Sequence, residues 1–339
     1  MKDEKPTAAH REPIFEGVGT AIITPMKQGE IDYTSLRELI RLQLTNGIDA
    51  IIVGGTTGEA ATLSETERYT LYERSIEMIG GKAKVILGTG TNDTRVALAH
   101  TKFAADIGAD AALVVTPYYN KGTEEGIFRH YATIAGGADI PLILYNVPSR
   151  TGVNLGIGIL RRLSQIPSVR GIKEAGDSLD RLAALAELNE CEPCSEAKIE
   201  GDREGDTVTD NKGVGRSSGQ YRRLPIYAGN DSQILPALAL GASGVISVVS
   251  NLFPRETSAL YRAFREGELV EARRIQLSLL PFIRAIFLET NPAPIKCALA
   301  MLELSSEELR LPLAPVREST RSAILAALRP LLRGRALPG

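Results

Sequence analysis

The stretch VRGIKEAGD, residues 169–177, decides how this chain is interpreted, because a short apolar run leads into a turn and ends on a charged side chain. The pattern is typical of a buried strand, yet Lys173 stands near its end, where an apolar residue is expected. A lone lysine at a strand end usually extends its ammonium group into water. The alternative is a buried amine with a chemical role, and the rest of the sequence decides between the two.

Seven further runs of the same kind recur along the chain, and most are followed by a helical pattern. They are rich in Val, Ile and Leu without strict alternation, which is typical of parallel strands buried on both faces. These runs are GTAIITPM (19–26), DAIIVGGTTGE (49–59), AKVILGTGT (83–91), AALVVTPYYN (111–120), PLILYNVPSR (141–150), PIYAGND (225–231) and GVISVVS (244–250). Helices are predicted over 35–46, 64–79, 93–107, 123–136, 156–164, 179–189 and 232–240. The α/β pattern therefore predicts a closed (β/α)8 TIM barrel rather than an open sheet.

Three segments fall outside this rhythm. The polar N-terminus, residues 1–13, is predicted to be a disordered tail, and the barrel is predicted over 14–253. A polar stretch rich in Gly, Ser and acidic residues, 189–223, is predicted to be a mobile insertion on the face of the barrel opposite the chemistry. Residues 254–339 read as a C-terminal helical region with a last helix near 318–332. The CEPC motif at 191–194 has no second cysteine pair, which argues against a metal site.

Composition excludes several classes of function. The formal net charge is −2, from 39 basic and 41 acidic residues, so neither nucleic acid nor an anionic membrane is expected as a partner. No apolar run reaches the roughly 18 residues that span a bilayer, and the N-terminus lacks the apolar core of a signal peptide. Three cysteines fit a reduced, cytoplasmic protein. The three histidines lie outside strand-end motifs, so a histidine-rich metal site is not expected.

Polar side chains gather at the predicted strand ends, which all open on one face of a barrel. They are Thr56, Thr57, Tyr118, Tyr119, Tyr145, Arg150 and Lys173. A lysine among hydroxyl groups, with an arginine for an anionic substrate, suits amine catalysis through a Schiff base. Taken one at a time, Tyr145 is equally well a core tyrosine, and the two threonines equally well cap the turn that follows their strand. Their shared face is what favours chemistry.

Four motifs made of these residues occur in an order that resembles a known family. GGTTGEAATL (54–63), VTPYYN (115–120), YNVPSRTG (145–152) and GIKEA (171–175) are similar to signatures of the pyruvate-dependent class I aldolases and lyases, and within them of the dihydrodipicolinate synthase family. The likeness spans about residues 14–333, apart from the insertion. It implies the barrel fold and a condensation of pyruvate with L-aspartate-4-semialdehyde, in lysine biosynthesis through diaminopimelate.

The resemblance also implies a role for each matching residue. Lys173 would form the imine with pyruvate, and Tyr145 would move protons through the threonine turn, Thr56 and Thr57, to a Tyr119 supplied by a neighbouring subunit. Thr57 and the backbone near Ile246 would hold the pyruvate carboxylate, and Gly229 would line the pocket. Arg150 would bind the carboxylate of the second substrate.

The resemblance further implies that neither a metal nor an organic cofactor takes part, since the iminium is the electron sink. It implies a homo-oligomer, a tetramer built as a dimer of dimers. At the positions where lysine-inhibited members bind the inhibitor, this chain has Glu65, Arg68 and Val96. The carboxylate expected at the last of these is missing, so inhibition by lysine is predicted to be weak or absent.

Two other functions remain open from the residues. A sister aldolase acting on N-acetylneuraminate or a 2-keto-3-deoxy sugar acid would share Lys173, Tyr145 and the threonine turn, although Arg150 and Tyr119 favour the synthase. A barrel that serves only as a scaffold is the other possibility. The presence of Lys173 argues against it, because loss of the nucleophile is the usual mark of a silent barrel.

Overall fold

The structure is a computed structural model that describes residues 12–190 and 223–332. Its centre is a closed barrel of eight parallel strands, each hydrogen-bonded to its neighbours along the chain, with the last strand pairing with the first. The strands are β1 (Gly17–Ala21), β2 (Ala50–Val53), β3 (Lys84–Gly88), β4 (Ala111–Val115), β5 (Leu142–Asn146), β6 (Val169–Glu174), β7 (Ile226–Ala228) and β8 (Gly244–Ser247). The predicted (β/α)8 barrel is confirmed.

Helices alternate with the strands and continue beyond the last one. Those of six residues or more in the described chain are α1 (Tyr33–Thr45), α2 (Glu65–Ile79), α3 (Thr94–Asp106), α4 (Glu124–Gly137), α5 (Ile157–Ser164), α6 (Leu179–Glu190), α7 (Ile234–Ala239), α8 (Pro254–Arg265), α9 (Leu269–Ala285), α10 (Ala293–Ala300) and α11 (Glu318–Leu328). A four-residue helix, Pro148–Thr151, follows β5 and carries Arg150. Helix α2 begins as its sequence predicts, because Ser64 and Glu67 exchange hydrogen bonds in a capping box. The predicted C-terminal helical region is confirmed as well.

The first predicted strand is partly wrong at its C-terminal end. The run GTAIITPM extends to Met26, but β1 ends at Ala21, and Met26–Lys27 pairs with Glu30–Ile31 in a small antiparallel hairpin. The chain leaves the barrel because the Ile23 amide donates to the Asn251 side chain, 3.1 Å away, instead of to a neighbouring strand. Pro25 then has no N–H to donate to a strand ladder.

The C-terminal region is broken into shorter pieces than its apolar pattern indicates. The amphipathic stretch from residue 255 to 287 forms two helices, α8 and α9, separated at Gly267, whose φ of +82° is a left-handed conformation. Helix α11 ends at Leu328, four residues before the predicted end. Helix α8 begins at Pro254, where the helical region is predicted to start, and the division of the chain into domains stays a prediction.

Three parts of the domain prediction lie outside the described residues. These are nearly all of the predicted tail, residues 191–222 of the predicted insertion, including both cysteines of the CEPC motif, and residues 333–339 of the predicted C-terminal region. The second gap in the described residues begins after Glu190, the last residue of α6, and ends at Arg223, three residues before β7. Glu190 and Arg223 form an ion pair across this gap, at 3.3 Å. The described residues on the two sides of this gap therefore belong to a helix and to the strand that follows it, and they lie on the amino-terminal side of the barrel.

The barrel is filled and closed at its amino-terminal end, which leaves its other end to hold a site. The interior is packed by side chains from the strands, among them Ile52, Ile86 and Ile143. Below them, the rings of Phe15 and Tyr227 stack with centroids 4.5 Å apart, and the Tyr227 hydroxyl donates to the Phe15 carbonyl oxygen. A second, larger apolar core lies between the strands and the surrounding helices.

Candidate active site

A cavity of about 380 Å³ opens at the carboxyl ends of the strands, where the barrel fold places binding sites. Its walls come from loops after five strands and from the C-terminal helical region. The residues predicted for the site that line it are Thr56, Thr57, Tyr145, Arg150, Lys173 and Gly229. The structure thus brings together six residues that span 174 positions of the sequence, counted inclusively from 56 to 229.

Lys173 lies on the floor of this cavity and is 5% exposed. It is paired in register with Tyr145 on the adjacent strand, so both side chains point into the barrel from the same level. The Lys173 Nζ atom is 4.5 Å from the centroid of the Tyr145 ring. Within the described residues, this amine has no carboxylate in ion-pair contact. The lysine at the strand end therefore does not extend into water but faces a buried phenol.

Thr57 and Arg150 are both held by one residue that the sequence did not single out, Asn291. The Asn291 side-chain amide donates to Thr57 Oγ1 at 2.9 Å, and the Arg150 guanidinium donates to the Asn291 carbonyl oxygen at 3.1 Å. Asn291 Oδ1 is buried and has no hydrogen-bond partner within the described part of the chain. Thr57 Oγ1 accepts this bond, and within the described residues its hydroxyl hydrogen has no acceptor, so that hydrogen can be donated to a ligand.

Gly229 and Ile246 are the two predicted site residues on the last two strands of the barrel, β7 and β8, or directly after them. A Cβ atom on Gly229 would sit 2.8 Å from the Glu174 carbonyl oxygen, which accepts the Gly229 amide hydrogen. Only glycine fits this close approach of two strands. The Ile246 side chain is fully buried and belongs to the barrel interior together with Tyr145, and it is not part of the cavity wall.

Tyr119, like Ile246, is a predicted site residue that does not line this cavity. It follows β4 in a left-handed conformation, with φ of +71°, and is 89% exposed. Its neighbour Tyr118 lines an adjoining cavity of about 340 Å³, which shares Thr56, Tyr145, Arg150 and Asn291 with the first. A phenol so exposed on a strained loop is available to another protein surface.

A buried carboxyl group lies close enough to Lys173 to respond to its charge. Burial raises the pKa of Asp231, while hydrogen bonds from Ser247 and the Val248 and Val249 amides, and the charge of Lys173, act in the opposite direction. The two amide bonds, at 3.0 and 2.9 Å to Asp231 Oδ2, fix this carboxyl group beneath the turn that follows β8.

A second buried lysine, Lys296 of α10, was also not anticipated. Its ammonium forms an ion pair with Glu59 and donates to the Glu308 carbonyl oxygen at 2.8 Å. Glu59 ends the GTTGE turn that carries Thr56 and Thr57, and it also accepts from the Arg310 amide at 3.1 Å. The sequence held one signal: a lysine in the middle of the apolar helix APIKCALA needs a buried partner.

The described residues contain no group of three or more His, Cys, Asp or Glu side chains arranged to hold a metal ion. In the same part of the chain, no helix has the length and apolar character needed to cross a membrane. Neither of the two described histidines lines the cavity. Burial lowers the pKa of both His100 and His130 to about 4.

Known proteins share this architecture. A solved 4-hydroxy-tetrahydrodipicolinate synthase from Methylacidiphilum fumariolicum SolV superposes with a TM-score of 0.81 at 40% identity, covering 93% of this chain and 95% of that one. A solved dihydrodipicolinate synthase from Thermotoga maritima has a TM-score of 0.82 at 39% identity, covering 94% and 98%.

Sequence relatives agree with the structural ones. A 4-hydroxy-tetrahydrodipicolinate synthase of Thermotoga neapolitana is 42% identical over 93% of this chain and 98% of its own length. One of Pelobacter propionicus is 40% identical over the same shares. The model of the dihydrodipicolinate synthetase family matches residues 14–192 and 206–330, so this chain belongs to that family.

Proposed function

We propose that this protein is a 4-hydroxy-tetrahydrodipicolinate synthase that condenses pyruvate with L-aspartate-4-semialdehyde through a Schiff base on Lys173. The observation that carries the proposal is the buried amine of Lys173, which has no carboxylate in ion-pair contact within the described chain and is set against Tyr145 on the floor of an open cavity. Membership of the family supports it. The reaction belongs to lysine biosynthesis through diaminopimelate, and we place the enzyme in the cytoplasm.

The first step is imine formation. The neutral form of an amine is the form that attacks a carbonyl. The Lys173 nitrogen adds to C2 of pyruvate, and loss of water from the carbinolamine leaves the iminium. Tyr145, directly opposite in the strand register, is placed to pass the protons that this exchange requires. The free hydroxyl hydrogen of Thr57 is available to the pyruvate carboxylate.

The second step forms the carbon–carbon bond. Loss of a proton from C3 of the iminium gives an enamine, whose C3 attacks the aldehyde carbon of the semialdehyde. The amino group of that substrate then attacks C2 and displaces Lys173, which closes the ring and restores the free amine. Arg150 sits on the rim of the cavity with its guanidinium held by Asn291, and it offers a bidentate partner to the carboxylate of the second substrate.

The proposal includes a homo-oligomer, a tetramer formed as a dimer of dimers. The exposed Tyr119 would complete the proton path, with Thr56 and Thr57, in the site of a neighbouring subunit. One solved relative, 38% identical with a TM-score of 0.82, is described as a monomeric dihydrodipicolinate synthase variant, so assembly has to be measured for each member. Sedimentation velocity of the purified chain gives its assembly state.

The activity is tested by comparing substrates. We expect turnover with pyruvate plus L-aspartate-4-semialdehyde, and much slower cleavage of N-acetylneuraminate or 2-keto-3-deoxy sugar acids. Treatment with pyruvate and borohydride should add a reduced pyruvate to Lys173, located by peptide mapping. Preferred cleavage of a keto-deoxy acid would assign a sister aldolase instead, and the absence of any adduct would support a scaffold.

Inhibition by lysine is proposed to be weak or absent. Glu65 and Arg68 lie on α2 and Val96 on α3, and the Arg68 guanidinium is buried, donating to the carbonyl oxygens of Ala60 and Gly88. Inhibition at sub-millimolar lysine in a steady-state assay would contradict this expectation.

A further inference from the structure

The residues that follow Tyr145 and Lys173 form a pair of their own. Asn146 is in register with Glu174, as Tyr145 is with Lys173 one position earlier. Successive side chains of a strand point to opposite faces, so one pair faces the barrel interior and the other faces the surrounding helices. Lys173 and Tyr145 therefore lie on the interior face of β5 and β6, and Asn146 and Glu174 lie on the face that packs against the helices.

The Glu174 carboxylate is buried, 1% exposed, and receives hydrogen bonds from three segments of the chain. The Asn146 amide donates to it at 2.9 Å from β5, the Gly176 amide at 2.9 Å from the following turn, and Arg181 Nε at 3.1 Å from α6. Asn146 Oδ1 in turn accepts from the Leu155 amide at 3.1 Å. The Glu174 carboxylate thus links β5 to β6 through the Asn146 side chain, and Arg181 balances its charge.

The strand pair β5 and β6 needs such a connection because its pairing is irregular. Leu142 pairs with Val169, but the next residue, Ile143, pairs with Gly171, so one residue of β6 is skipped. A slip of one residue turns every later side chain to the opposite face of a sheet. In the regular part that follows, only the correct register places Lys173 inside the barrel next to Tyr145.

We propose that Asn146 and Glu174 are positioning residues, which lock the register of β5 and β6 behind the sheet and thereby set the Lys173 amine against the Tyr145 phenol. The inference rests on the proposed function, since it assigns to this pair the placement of the nucleophile. A displacement of about 1 Å at a reacting group can slow a reaction about a hundredfold. Neither residue lines the cavity that holds Lys173 and Tyr145, so we assign the pair an action through those two residues.

The test measures imine formation in variants of the full chain. Glu174→Gln keeps the shape but removes the charge that gathers the three donors, and Asn146→Ala removes the cross-strand bond while leaving the ion pair with Arg181. We expect each to slow inactivation by pyruvate and borohydride by about tenfold or more, with a lower kcat, at a temperature well below its own Tm. Glu125→Gln is the control, because it removes exposed ion pairs with Arg129 of α4 and Arg162 of α5.

An exchange variant separates positioning from stability. Asn146→Asp combined with Glu174→Gln keeps one carboxylate and one amide facing each other across the strands, and we expect it to trap pyruvate faster than Glu174→Gln alone. Folded single variants that trap pyruvate as fast as the control would overturn the inference, as would an exchange variant that recovers Tm but not the trapping rate. Should Glu174→Gln not fold, Asn146→Ala carries the test. A wild-type protein that forms no adduct would instead overturn the proposed function.

Discussion

The two buried lysines at the mouth of the barrel differ in what surrounds their ammonium groups. Lys296 is fully buried and meets the Glu59 carboxylate and a carbonyl oxygen. Lys173 is almost as buried, but in the described part of the chain it meets an aromatic ring and an open cavity rather than a carboxylate in direct contact. Burial lowers the pKa of Lys296, and the Glu59 charge opposes that shift.

Burial alone therefore does not make a lysine a nucleophile. An amine in an ion pair has its lone pair protonated and its position fixed by the partner, whereas an amine facing a cavity is open to a substrate. The ion pair of Lys296 with Glu59 links the C-terminal region to the threonine turn, and Lys173 is the residue that we propose as the nucleophile. Each of the following predictions concerns either Lys173 or the ion pairs around Lys296 and Glu59.

Lys173→Ala gives the largest expected effect. Removing the nucleophile should lower kcat by roughly 10³-fold or more and abolish the borohydride adduct, while circular dichroism stays native. Lys296→Met provides the matched comparison: the folded fraction of that variant should still trap pyruvate, and the label should map to Lys173. A label on Lys296 in the wild-type protein would reverse the contrast between the two lysines.

Breaking the buried ion pair between Lys296 and Glu59 should lower the free energy of unfolding more than breaking an exposed ion pair. Lys296→Met leaves a buried carboxylate without its counter-charge, which should lower the free energy of unfolding by about 3–5 kcal/mol, measured by urea denaturation. Adding Glu59→Gln removes that orphan charge and should restore part of the loss. Glu271→Gln, which breaks an exposed pair with Arg274, should change stability by less than about 1 kcal/mol. Equal effects from the buried and exposed pairs would contradict this account.

The pair of Glu67 with Arg310, beside the threonine turn, should make a smaller, pH-dependent contribution to the free energy of unfolding. The hydrogen bond from Arg310 lowers the pKa of Glu67 from 4.5 to about 2, and the Arg310 amide also holds Glu59. Because the folded pKa is the lower one, this contribution is complete above pH 4.5 and is lost as the pH falls to about 2. With partial exposure taken into account, we expect about 1 kcal/mol.

The measurement is the urea midpoint at a series of pH values between 2 and 5. Glu67→Gln keeps an acceptor for the helix cap but cannot titrate, so its stability should fall less than that of the wild-type protein across this range. Parallel curves for the two proteins would show that the pair with Arg310 contributes nothing to acid sensitivity.

The fold was predictable because its signals are local. Each strand carries its own Val, Ile and Leu run, and caps such as Ser64 with Glu67 mark where helices begin. The error at GTAIITPM has a tertiary cause, since the Asn251 side chain, more than 200 residues away, takes the amide that would continue β1. Local strand propensity depends on neighbouring residues and therefore cannot indicate a partner that is remote in sequence.

By itself the sequence determined the barrel and the motifs, because strand and helix periodicity and parallel alignment follow from neighbouring residues. It also brought Lys173, Tyr145, Thr57 and Arg150 to one face, since strand ends share a face in any barrel. Only the tertiary structure decided which buried lysine is paired and which is open, that Asn291 holds Thr57, and that Glu174 backs the strand bearing Lys173. Those contacts join positions remote in sequence, and their distances are set by packing.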